Sequence, residues 1–115
     1  MTIEEMKAEI TTDLTTEILL TDGDLFNLPL LTSKINNAVM EVRAARKYPT
    51  TYSAEKIESD LVKFYSTIRN IALYDYNQSG AEGQKSFSET GMNITYVDRE
   101  RLFWGVEPIT KFYRG

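Results

Sequence analysis

The sequence predicts a mainly α-helical fold, an antiparallel bundle of three or so helices with a C-terminal β-hairpin and an extended tail. Three features of the chain lead there. In residues 53–76, Ile57, Leu61, Phe64, Ile68 and Ile71 recur at helical spacing and make one face apolar. Upstream, Leu31, Ile35, Ala38, Val39, Val42 and Ala45 repeat the pattern, and only Tyr48-Pro49-Thr50-Thr51-Tyr52 separates the two. Beyond Tyr76 the helical period stops and short alternating stretches take over.

Taken in order, Ile3, Met6, Ile10 and Leu14 predict a first helix from Thr2 to about Leu14, with Glu4 and Glu5 suited to the positive end of its dipole. The threonines at 11, 12, 15 and 16 argue against extending it, since β-branched residues lose χ1 freedom in a helix. Thr21-Asp22-Gly23-Asp24 is a turn; the ligand pattern of a calcium loop does not follow it. Leu28 opens the second helix, with Pro29 tolerated in the first turn, and the apolar stripe continues to about Lys47. Arg43, Arg46 and Lys47 gather at its end, either capping the dipole and pairing with nearby acids or forming a small phosphate patch.

The residue before Pro49 avoids helical angles, so the helix stops there and the short link folds the next helix back as an αα-hairpin. Residues 53–76 then read as the longest uninterrupted helix, with Ser53 as N-cap and a second apolar row through Val62, Tyr65, Leu73 and Tyr76. Asp75 falls on the apolar face, which predicts a hydrogen-bonded acid with a local structural role, because an unpaired buried charge is costly. Residues 77–83 break the helix, with Gly80 a candidate cap. Residues 84–89 and 92–97 flank Thr90-Gly91 and read as a β-hairpin, too small to stand in water without support. Asp98 to Gly105 fits a short helical turn, and residues 106–115 an apolar tail that docks on something.

At 115 residues the chain reads as a single domain, residues 1–115, with 42% hydrophobic and 26% charged residues. No apolar run approaches the roughly 20 residues that span a bilayer, and the N-terminus carries acids where a secretory signal carries bases. With no cysteine there is neither a disulfide nor a thiolate metal site, and with no histidine the commonest general base is missing. No nucleophile–base pair, phosphate loop, dinucleotide fingerprint or metal-ligand cluster is present, so no enzyme, catalytic residue, cofactor or metal is expected. A net charge of −4 suits sequence-independent DNA binding poorly, but suits a passage through which DNA slides.

What remains is aromatic and apolar surface late in the chain: Phe87, Met92, Ile94, Tyr96, Leu102, Phe103, Trp104, Phe112 and Tyr113. These residues have the character of interface anchors, some of them also serving the core.

Residues 65–96, which include YDYNQSGAEGQKSFSETGMNITY, resemble the head–tail connector proteins of tailed phages, also described as DNA-packaging adaptors. The matching features are a helix ending in a glycine–acid–glycine loop (Gly80, Glu82, Gly83), a serine-rich strand (Ser86, Ser88, Glu89), a turn at Gly91 and a second strand to Tyr96. The likeness extends over roughly residues 30–110. Many relatives carry a basic residue in the second strand, where this chain has Asn93-Ile94-Thr95.

The resemblance implies a virion component made in the host cytoplasm: an adaptor that assembles as a homo-oligomeric, dodecamer-like ring on the portal protein. Such a ring extends the DNA channel and receives a head-completion or tail protein. DNA passes without sequence-specific binding, and no membrane is involved. The implied interface is Gly80, Glu82, Gly83, Phe87, Gly91, Met92, Ile94, Tyr96, Phe103, Trp104, Phe112 and Tyr113. A small helical DNA-binding or regulatory module is the alternative, but it calls for a basic recognition helix, and Lys56, Lys63 and Arg69 lie mixed among acids.

Overall fold

The computed structural model describes residues 1–80 and 99–109. Four helices make up the bundle: α1 (Ile3–Asp22), α2 (Leu28–Arg46), α3 (Ala54–Leu61) and α4 (Tyr65–Gly80), with 3₁₀ turns at Gly23–Leu25 and Val62–Phe64. The described residues contain no strand. The expected hairpin at 84–97 and the tail beyond Ile109 lie outside the described residues.

α1 starts at a capping box, in which the Thr2 hydroxyl accepts from Glu5 N–H and the Glu5 carboxylate accepts from Thr2 N–H. It does not stop at Leu14 as expected but runs eight residues further, to Asp22. The threonines that argued against this return their hydroxyls to the helix: Thr11 donates to Lys7 C=O and Thr16 to Thr12 C=O. Burial of Ile18 one turn past Leu14 outweighs their propensity. Gly23 then ends the helix at φ +56°, ψ −119°, a conformation that suits only glycine.

α2 is capped by the Asn27 side chain, which accepts from Leu30 N–H, and has proline in its first turn as expected. It closes at Lys47 in the left-handed region, φ 51°. Ser53 caps α3 by accepting from Lys56 N–H.

The uninterrupted helix expected over 53–76 is broken into α3 and α4 by the 3₁₀ turn at Val62–Phe64. The residues flanking this turn keep right-handed helical angles, so the interruption tightens the chain without reversing it. Its physical reason lies in the tertiary contacts: Asp60, one residue before Leu61, is tied to Arg46, the last residue of α2, and to Tyr48 just beyond it, while Leu61 is fully buried. Anchoring α3 on one side and α4 on another shifts the phase between the two halves.

Contacts at the ends fix the directions. The Tyr76 hydroxyl, late in α4, accepts from Asn27 N–H at the start of α2, at 3.0 Å. Arg46 at the end of α2 meets Asp60 in α3, so the two arms are antiparallel. α1 runs parallel to α3–α4: Ile3 N–H donates to Glu58, and Arg69 spans Asp13 and Glu17. Between the arms lies a core of Met6, Ile10, Leu14, Leu31, Ile35, Val42, Leu61, Ile68, Ile71 and Tyr76. At roughly 1.5–3 kcal/mol for each large side chain buried, this core is the main source of stability.

Candidate interface site

Residues 99–109 pack on the bundle as a strap across α2 and α4. Arg99 to Trp104 form a helical turn through i→i+3 bonds, from Leu102 N–H to Arg99 C=O and onward. Gly105 ends it at φ +94°, where any side chain would be strained although the space around its Cα is open. That reversal brings Val106 and Ile109 into the core, at 8% and 6% exposure.

Two arginines hold the strap. Arg99 forms a fork with Asp75 of α4, Nε to Oδ1 and Nη2 to Oδ2 both at 2.8 Å, and Nη2 also reaches the Glu41 carboxylate of α2 at 3.1 Å. The hydrogen bond to Asp75, opposed by burial and aided by Glu41, holds the Arg99 guanidinium above its ordinary pKa. Arg46 donates Nη1 to the Glu107 carbonyl at 2.7 Å while its other nitrogens grip Asp60 at 2.8 and 2.9 Å. The Tyr48 hydroxyl donates to the same carboxylate at 2.6 Å. Burial would push the Asp60 carboxyl up, but the bonds from Arg46 and Tyr48 outweigh it and hold it below the usual carboxylate range. Burial, then the hydrogen bond to Asp60, push the Tyr48 phenol up.

Of the candidate interface residues, Phe103 and Trp104 fall within the strap and separate in role. Phe103 is half-buried, packs on the core and lies under the Arg99 guanidinium at 5.5 Å. Trp104 is 73% exposed, with Arg101 over its ring at 5.8 Å. Gly80 is the last residue of α4. Glu82, Gly83, Phe87, Gly91, Met92, Ile94, Tyr96, Phe112 and Tyr113 lie outside the described residues.

Asp75 has the role expected of it, a hydrogen-bonded acid on the apolar side of its helix. Its partner was not legible, since nothing in the sequence pairs Arg99 with a carboxylate 24 positions earlier. At the end of α2, Arg46 takes the ion-pairing role rather than joining a phosphate patch. Among the described residues no group of three or more acids could hold a metal ion. None of the described helices is long and apolar enough to cross a membrane. The arrangement is a segment fastened so that one large aromatic faces outward.

The family model described as phage gp6-like head-tail connector protein matches residues 21–114. Comparison with curated proteins gave no match, and comparison with solved structures gave none either.

Proposed function

The chain belongs to the phage gp6-like head-tail connector family, and on that premise we propose that it acts as a single domain that forms a ring on the portal vertex. The family is one of phage structural adaptors, which supports reading the chain as a virion component rather than an enzyme. The ring extends the DNA channel, DNA passes without sequence-specific contact, and the free rim receives a head-completion or tail protein. The interface runs through residues 80–96 and through Phe103, Trp104, Phe112 and Tyr113.

The observation that carries this reading is the family match over residues 21–114. The exposed Trp104 on a strap fixed by Arg99 and Arg46 supports it, because a rigidly presented aromatic loses little entropy on docking. Light scattering of the chain alone, and then mixed with the portal protein of the same phage, tests it. A ring, or a monomer that joins the portal, is the expected result; a chain that ignores both itself and the portal defeats it.

A further inference from the structure

Residues 1–25 hold seven of the seventeen acidic residues but one of the thirteen basic ones, Lys7. This stretch is therefore net −6, and the rest of the chain +2, within a total of −4. α1 turns Met6, Ile10, Leu14 and Ile18 to the core. Ala8, Glu9, Thr12, Asp13 and Thr16 are left on its exposed side, around a shallow depression of about 540 Å³ that Tyr65 completes. Asp13 is already engaged by Arg69. Small side chains at 8, 12 and 16 leave room for another helix to approach.

The far end of α2 has the opposite character. Met40, Arg43, Ala44 and Lys47 lie at i, i+3, i+4 and i+7 and are all exposed. They form one wall of a groove of about 550 Å³, closed on the other side by Tyr48, Pro49, Tyr52 and Ile57, and no carboxylate lines it. Met40 leaves 64% of its surface open there. Aromatic and aliphatic walls carrying two cations fit an acidic helix face with small side chains.

The chain cannot fill this groove with its own α1, whose acidic face points away from the bundle that its apolar side joins. Its C-terminal end is also a poor occupant, since Lys111 and Arg114 would bring like charge to Arg43 and Lys47. We infer that the groove at the end of α2 receives the outer face of α1 from a second copy of this chain, with Glu9 set against Arg43. The inference rests on the ring reading. Two different surfaces meet in this contact, so it is head-to-tail and propagates from copy to copy, as a ring requires. All but the last two residues of α1 lie before the matched stretch at 21–114, so the contact is made by an element the family model does not cover.

Sedimentation over a range of concentrations tests it, using the wild-type chain, Arg43→Glu, Glu9→Lys and an equimolar mixture of the two variants. The wild type should self-associate, and more weakly as salt screens the charges. Each reversal should weaken association on the order of tenfold, by replacing attraction with repulsion. The mixture should regain assembly, because each variant then offers its neighbour a complementary face. Helical circular dichroism and melting of both variants check that the fold is kept, as both side chains are exposed.

A wild type that stays monomeric throughout, reversals without effect, or a mixture that fails to recover would each overturn the inference. Portal binding, measured separately, would still decide the adaptor reading. Self-association into open chains rather than a closed ring, with no affinity for the portal, would uphold this contact and sink that reading.

Discussion

Arg99 and Asp75 meet as a two-pronged ion pair across 24 residues, with both N–O distances at 2.8 Å. The Asp75 side chain keeps only 16% of its surface exposed, so the pair is partly withdrawn from water. It joins the start of the strap at residue 99 to the last turns of α4, and the third contact, to Glu41, adds α2. One guanidinium therefore holds three segments together.

Removing that guanidinium should release the strap while leaving the bundle folded. Arg99→Ala leaves Asp75 partly buried and unpaired, at a cost of about 2 kcal/mol. Hydrogen exchange should show lost protection at Val106, whose N–H bonds Phe103 C=O, with protection unchanged at Ile35 and Ile68. Equal loss at all three would mean that the strap and bundle unfold as one unit.

Acid should weaken the junction of α2 with α3 in a defined direction. The Asp60 carboxyl is depressed in the folded protein, so its contribution is complete above the unfolded value near 3.8 and is lost as pH falls through the lower, folded value. Wild-type stability should therefore drop below about pH 4, and Asp60→Asn should flatten that part of the profile. Chemical denaturation of both proteins from pH 2.5 to 7 is the measurement. Identical slopes would assign the acid sensitivity to other carboxylates.

A side chain at Gly23 should cost stability for reasons of backbone alone. A Cβ there would meet nothing within 4 Å, yet φ is +56°. Gly23→Ala should cost about 1–2 kcal/mol, read as a lower melting temperature, with no change in helical content.

Within α1 the two faces should respond in opposite ways. Ile10 is fully buried, and Ile10→Ala should cost about 2–4 kcal/mol, whereas Leu20, 83% exposed, should change stability by less than about 0.5 kcal/mol on replacement by alanine. A large loss at Leu20 would show that this corner of the molecule is covered in solution.

Trp104→Ala should likewise leave the melting temperature nearly unchanged, because the ring is 73% exposed. It should weaken association with the portal protein by tenfold or more if the ring anchors that contact, about 1.4 kcal/mol. Isothermal titration of the two proteins against the same portal reads the difference.

By itself the sequence determined the helical class, the stops at Gly23 and Pro49, the caps at Ser53 and Gly105, and the stripes of α2 and α4, all of which follow from local backbone preference and spacing. It also carried the family, through the run of residues around Gly80, Glu82 and Gly83. Only the tertiary structure decided that α1 continues past its threonines, since the burial of Ile18 against other arms outweighs a local propensity. The same holds for the break between Leu61 and Tyr65, imposed by the hold that Arg46 and Tyr48 keep on Asp60. The ion pair that ties down the strap was illegible for the same reason. An arginine's partner is chosen by where the folded chain places it, and the separation of 24 positions between Asp75 and Arg99 carries no periodic signal of that meeting.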